Sequence, residues 1–397
     1  MRRAYYLVSP PLSPRVYFSR RAKSLPFPFG DARCTFYARA RHALWHGVRA
    51  LGLGDGDEIL VPEYHCGTEI EALLQAGLRL SWYELNERLE PVEASLDALV
   101  GPRTKALLLI HYLGFPQDAE RWRGWCDERG LLLIEDAAPA WLTSIGDEPV
   151  GSFGDLSIFS FRKTCGVPDG GALVLGARVP RLEPTRKPGF GMLLKRHAAW
   201  AAMRSRVAAT VLENWMSRGP FDSVQDDPIG HFAMGDPERR PQRISLALLS
   251  RLAAASVAAR RRDNYRYLLD RLGELVSPPF DWLPDGASPY MFPLTFGERD
   301  DLIKRLRRSG VHAVSNWPVP HPACPTGRFP KADERRATIV GLPVHQELGR
   351  RDLERIVTAT KRSLEEVAPA RANATTRAEG TNGDAGRRRA QQRNRPF

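Results

Sequence analysis

From residue 37 to residue 175 short apolar runs alternate with amphipathic stretches, and this rhythm constrains the fold more than any other feature of the chain. The spacing predicts a helix over Tyr37–Leu51, closed by Gly52 and Gly54, where glycine tolerates the left-handed cap conformation. Apolar Glu58–Pro62 follows as a strand, then helix Thr68–Ala76, strand Leu78–Tyr83, helix Val92–Leu99, strand Ala106–Tyr112 and helix Ala119–Arg129. Strands Leu131–Glu135, Ser157–Phe161 and Ala172–Leu175 complete the series. Alternation of this kind predicts an α/β fold with a mostly parallel sheet covered on both faces. Such sheets bind ligands beyond the carboxyl ends of their strands, so chemistry is expected there.

The 397 residues exceed one domain. Residues 1–30, rich in Pro and Arg, read as an N-terminal arm wrapping the body or a partner subunit, and 31–241 as the large α/β domain. Within that domain 182–241 breaks the rhythm, as an irregular insertion with a basic amphipathic helix over Met192–Met216 that packs against the body. Helix Ile244–Leu272, strand-like Met291–Phe296 and helices Arg299–Ser309 and Arg351–Val367 make 242–368 a smaller α+β domain. Residues 369–397 lack apolar periodicity and are expected to be a disordered basic tail.

Charge and cysteine content narrow the function classes. Beyond Pro369 seven arginines face Glu379 and Asp384, so +5 of the net +12 lies in the tail and +7 on the rest. That excess suits anionic ligands, and without a nucleic-acid module signature no nucleic-acid partner is expected. Five scattered cysteines with no CxxC pair predict neither a disulfide framework nor a metal site. No apolar run approaches the roughly 20 residues that span a bilayer, and the start lacks a signal-peptide core, so a cytoplasmic protein without a membrane span is expected.

Two segments carry the chemistry. Apolar Leu131–Ile134 ends in Glu135-Asp136, and an acid at the mouth of a sheet can stay ionised against a cationic ligand atom, or simply cap the next segment. Lys163 follows the run Phe159-Ser160-Phe161 and precedes a glycine turn at Asp169-Gly170-Gly171. Burying an ammonium is costly unless it is paired or neutralised, as in a Schiff base; a surface lysine is the plainer alternative.

In combination these residues resemble the DegT/DnrJ/EryC1/StrS family of pyridoxal-phosphate-dependent sugar aminotransferases. The family's Glu-Asp-Ala-Ala, Gly-Ser-x-Gly-Asp, Phe-Ser-Phe, Lys and acidic-Gly-Gly occur in order at Glu135–Ala138, Gly151–Asp155, Phe159–Phe161, Lys163 and Asp169–Gly171. Gly54–Pro62, Pro102–Ala106, His111–Gly114 and Leu342–His345 are similar to further landmarks, so the resemblance spans roughly 35–365. It implies the aspartate-aminotransferase (type I) fold, pyridoxal 5'-phosphate as cofactor and a homodimer. It further implies amino transfer, with glutamate the expected donor, to a keto-sugar on a nucleotide for polysaccharide or glycosylated-metabolite synthesis.

The implied roles are specific. Lys163 would bond the cofactor aldehyde and move protons, and Asp136 would pair with the protonated ring nitrogen. Ser160, with the helix start at Ala40 and Arg41, would hold the phosphate. Arg243, in the Arg240–Arg243 segment, would reach the neighbouring subunit's phosphate. His345 has no role assigned beyond a core or surface histidine.

Four departures mark a divergent member. One residue, Arg162, stands where the family has three before the lysine, and Ala40-Arg41 replaces Gly-Thr. Cys66 occupies the ring-stacking position, leaving His65 or Tyr64 as substitutes, and Pro139 replaces a glutamine. Retention of Lys163 favours aminotransfer over the family's lysine-free dehydrases. The rival expectations are a keto-cyclitol or other ketone as acceptor, or a non-catalytic cofactor or sugar sensor.

Overall fold

A computed structural model describes residues 5–177, 179–188, 192–202, 228–254 and 256–367. Two strand-like entries begin the chain: β1 (Tyr6–Leu7) and, after a 3-10 turn at Pro14–Phe18, β2 (Cys34–Tyr37). Helix α1 (Ala40–Ala50), β3 (Glu58–Pro62), α2 (Thr68–Gln75), β4 (Arg79–Tyr83), α3 (Glu93–Asp97), β5 (Thr104–Ile110), α4 (Ala119–Arg129) and β6 (Leu132–Asp136) follow the predicted alternation. A small hairpin, β7 (Ser144–Ile145) and β8 (Glu148–Pro149), leads to β9 (Leu156–Ser160), α5 (Phe161–Thr164), β10 (Gly171–Leu175) and α6 (Met192–Ala202).

Seven strands form the main sheet in the order β2-β10-β9-β6-β5-β3-β4. Pairings β4–β3, β3–β5, β5–β6 and β6–β9 are parallel, while β10 runs antiparallel to both β9 and β2. β10 is therefore the one reversed strand, and its first residue lies at the same sheet edge as the last residues of the other six. That edge collects Tyr37, Pro62, Tyr83, Ile110, Asp136, Ser160 and Gly171. The inner strands are apolar on both faces, with Leu107, Leu133, Ile134 and Leu156 at zero exposure, as a parallel sheet between helix layers requires.

The second unit is built on β11 (Phe292–Thr295), β13 (Val314–Ser315) and β14 (Ile339–Leu342), with β14 central and antiparallel to both neighbours. Helices Ser256–Leu272, Arg299–Arg308, Pro330–Thr338 and one over 350–367 surround it. The N-terminal arm is packed into both units. β1 pairs in parallel with β12 (Val311–His312), and His345 bonds the Leu7 carbonyl at 3.1 Å, so this histidine belongs to the core. Leu12 and Val16 join Trp141, Phe159, Phe161 and Leu248 in an apolar cluster under α5.

Two predicted boundaries are corrected. Tyr37 ends β2, paired with Gly171, and the helix begins at Ala40. The stretch expected as one helix from Ile244 to Leu272 is two, Arg243–Leu252 and Ser256–Leu272, because Ala253 turns out of helical geometry at φ −91°, ψ 54°. The helix expected over Met192–Met216 is described to Ala202; its remainder, and the tail from 368, lie outside the described residues.

Candidate active site

The Glu135-Asp136 pair divides because strand neighbours point to opposite faces. Glu135 faces the core: it accepts from His111 Nε2 at 3.0 Å and from the Gly151, Phe153 and Gly154 amides. Burial pushes its carboxyl up, but the His111 bond and the amide donors outweigh that and leave it below the usual range. His111 Nδ1 accepts from the Gln117 amide, which sets the tautomer with the proton on Nε2. Glu135 thus organises the loop after β8, whereas Asp136 is left for other work.

Asp136 is 6 % exposed, and among the described residues its carboxylate accepts only the Ala138 amide, at 2.8 Å. Burial, then the nearby Glu69 carboxylate, raises its pKa to about 6, while the Lys163 charge pulls the other way. A carboxylate held this dry with one hydrogen bond is a receptor for a cation. Its neighbour in the sheet leads to the site lysine: Asp136 pairs with Ile158 of β9, and five residues further on, past the end of β9 and within α5, stands Lys163. The Lys163 ammonium lies 5.9 Å from the Tyr290 ring centroid and forms no ion pair among the described residues. Its charge acts on Asp136, Cys66 and His231.

The residue after the lysine is clamped from the second unit. Fully buried Arg261 donates to the Thr164 carbonyl at 2.9 Å, to the Pro289 carbonyl at 2.7 Å and to Gln346 Oε1 at 2.9 Å. Gln346 adds its own bond to Thr164. One guanidinium thereby ties the backbone beside Lys163 to the backbone beside Tyr290.

The anion-binding end lies at the start of α1. Gly171 lets β10 approach closely: a Cβ there would fall 2.5 Å from the Arg39 carbonyl carbon and 2.6 Å from the Ala40 nitrogen. Ser160, paired with Gly171 and 6 % exposed, makes no side-chain hydrogen bond among the described residues. Around them gather arginines. Repulsion by Arg162, then burial, pulls Arg39 down to about 9; burial, then Arg196, pulls Arg162 to about 10; burial, then Arg39, does the same for Arg196. Asp169, a carboxylate whose charge acts on both Arg39 and Arg162, is engaged by the Ser245 hydroxyl and the Gln242 amide. Mutually repelling guanidiniums at a helix N-terminus make a strong phosphate receptor.

Other expected residues are placed elsewhere. Arg41 is turned away, its Nη1 donating to the carbonyls of His231, Phe232 and Ala233, so it braces the helix Pro228–Phe232; the α1 amides, not its guanidinium, face the cup. His65 has zero exposure, with Nδ1 bonded to the Pro62 carbonyl, Nε2 accepting the His321 amide and its ring 4.9 Å from Trp82. Tyr64 is packed between Tyr112 and Trp317, with its hydroxyl bonded by Asn316. Both are core residues, which corrects the expectation that one of them stacks on a ring at Asp136. Cys66 itself faces Lys163, and His231 Nε2 lies 3.6 Å from its sulfur. Burial, then Arg41 and Lys163, holds His231 near 4, a neutral imidazole. Arg243 is exposed at the start of its helix, two residues before the serine that holds Asp169.

Sequence reasoning passed over Arg39, Arg196, Glu69, His231 and Arg261, all brought in by tertiary packing. The signal within reach was local: Arg39 directly precedes the helix start, and Glu69 sits three residues after Cys66, the spacing at which its carboxylate caps the Cys66 amide at 2.8 Å.

The arrangement places a receptor for a cationic ring atom, a primary amine and a phosphate cup along one sheet edge. Residues 29–178 match the profile of the DegT/DnrJ/EryC1/StrS aminotransferase family. The chain is 26% identical over 343 residues to the UDP-N-acetyl-3-dehydro-alpha-D-glucosamine 3-aminotransferase of Acidithiobacillus ferrooxidans, covering 82% of this chain and 83% of that one. It is 27% identical to the dTDP-3-amino-3,4,6-trideoxy-alpha-D-glucose transaminase of Streptomyces venezuelae, over 82% of this chain and 81% of the relative. The fold is similar to the crystal structure of S. venezuelae DesV in complex with a ketimine intermediate, with a TM-score of 0.61 at 24% identity over 83% of this chain and 84% of that one.

Proposed function

We propose that this chain, whose residues 29–178 match the DegT/DnrJ/EryC1/StrS aminotransferase profile, is a pyridoxal-phosphate-dependent aminotransferase that carries an amino group from glutamate to a keto-sugar borne on a nucleotide. The observation that carries this reading is the shared location of Asp136 and Lys163, a buried carboxylate and a lysine whose charges act on each other at the sheet edge. The nucleotide-linked acceptor is supported by the substrates named for the relatives, and the body's positive excess is compatible with it.

The residues present fit the cofactor. Asp136 would hold the ring nitrogen protonated, and in return the bound cation would relieve its buried charge. The Ser160 hydroxyl, the first amides of α1 at Ala40 and Arg41, and the guanidiniums of Arg39, Arg162 and Arg196 would hold the phosphate. When bound, the cofactor supplies an aldehyde that takes up the amino group and a ring that absorbs negative charge. Lys163 would bond that aldehyde and, once released by the donor, carry the proton between the substrate carbon and the cofactor carbon. Cys66 and His231 would bound the ring face, and Arg261, through Thr164, would hold the lysine segment against Tyr290. Arg243 is available to a second copy, and a cytoplasmic homodimer is the working form we propose.

The test is amino transfer from glutamate to a panel of nucleotide-linked keto-sugars, keto-cyclitols and simple ketones, read by mass spectrometry of the products. Transfer to a nucleotide sugar supports the proposal. Transfer to a cyclitol alone would move the acceptor, and no transfer with any donor would favour a non-catalytic binder.

A further inference from the structure

A second site lies on the smaller unit. The groove between the end of helix Arg299–Arg308 and the helix over 350–367 has a volume of about 920 Å³ and contains none of the residues at the sheet edge. Its charged lining is Arg305, Arg308, Arg351, Arg355 and Arg362 against Glu354 and Glu366, an excess of three positive charges and no lysine. Glu366 is shared by two of these, Arg305 at 3.3 Å and Arg362 at 3.0 Å. Glu354 pairs outward with Arg350. Arg308 and Arg351, one from each helix, have no carboxylate partner among the described residues.

Local helix stability accounts for only part of this. Arg305 and Arg308 sit in the last turn of their helix, where a cation complements the dipole. Arg351 sits in the first turn of the other helix, where a cation opposes the dipole. Asp352, one residue on, caps this turn by accepting the Gly349 amide at 3.0 Å, so an anion in the groove would be held by the guanidiniums and not by the helix terminus. Arginine alone, in place of mixed lysine and arginine, presents planar forks that match phosphate oxygens two at a time. The volume is that of a small-molecule site.

We propose that this groove binds a small polyphosphate, of the inorganic triphosphate or nucleoside diphosphate type, independently of the cofactor pocket. The test is calorimetric titration of the cofactor-loaded full chain with sodium triphosphate and, separately, with ADP. Saturable binding of both is expected, weakened about tenfold or more, equivalent to about 1.4 kcal/mol, by the double substitution Arg308→Glu and Arg351→Glu. The melting temperature and the visible cofactor band should stay unchanged in that variant. Should charge reversal unfold the chain, Arg308→Ala with Arg351→Ala gives the same comparison. No saturable binding by the parent protein would overturn the proposal. So would equal affinity in the variant, which assigns the ligand to the cofactor's phosphate cup or the arginine-rich tail, and so would binding of ADP without triphosphate.

Discussion

Asp136 is held in the cofactor-free chain at a cost, and substituting it exposes that cost. Its pKa, raised from 3.8 to about 6 chiefly by burial and then by Glu69, corresponds to about 3 kcal/mol of native-state destabilisation once the group is ionised. The folded chain holds this proton more tightly than the unfolded one, so stability falls as pH rises from about 4 through about 6 and stays lowered above that. Asp136→Asn removes the charge while its Oδ1 can still accept the Ala138 amide. Urea unfolding of the cofactor-free protein at pH 8 should therefore show the variant more stable by up to about 3 kcal/mol, and the gain should vanish near pH 4. Saturating pyridoxal phosphate should reverse the order, because the parent gains a buried ion pair that the amide cannot form. An advantage for Asn that persisted unchanged at pH 4, or a cofactor that stabilised both proteins equally, would refute the assignment of Asp136 as the cation receptor.

Three further outcomes follow from the geometry. Arg261→Met should cost about 1–3 kcal/mol by leaving the buried Pro289 carbonyl without its donor, seen as a lower thermal midpoint, and should also weaken cofactor retention because Thr164 keeps only the Gln346 bond; a neutral result would show the clamp to be idle. Gly171→Ala should lose soluble protein or shift its unfolding by more than about 1 kcal/mol, since the added methyl meets the Arg39 and Ala40 backbone, which cannot move without displacing α1. Arg162→Ala should weaken pyridoxal-phosphate affinity about tenfold or more in equilibrium dialysis while leaving that of unphosphorylated pyridoxal unaltered; equal losses for both would place Arg162 outside the phosphate cup.

What could be read in the sequence was what depends on local periodicity. The parallel strands, the helices between them, Asp136 at a strand end and Lys163 beyond the next strand all follow from apolar runs and their terminators. The misses share a physical cause. β2 is four residues long and shows no period of its own, and its last residue, Tyr37, reads as helix because it fits the apolar spacing of the helix that follows; pairing with Gly171 makes it strand. The break near Ala253 lies in an alanine-rich stretch with no glycine or proline to mark it. Strands β12 and β13 are two residues each, too short to show a period. In the site, Arg39, Arg162 and Arg196 are 34 or more residues apart along the chain and become one cluster only when α1, α5 and α6 converge. Tyr64 and His65 have the composition of ligand-binding residues, yet Trp317 and Trp82, distant in sequence, draw them into the core.

Whether Lys163 is the residue that bonds the cofactor can be read chemically. Protein saturated with pyridoxal phosphate is reduced with borohydride, digested and mapped by mass spectrometry. The phosphopyridoxyl group is expected on the peptide bearing Lys163, with labelling abolished by Lys163→Ala. A modified lysine elsewhere, or none at all in protein that retains the cofactor, would contradict that assignment.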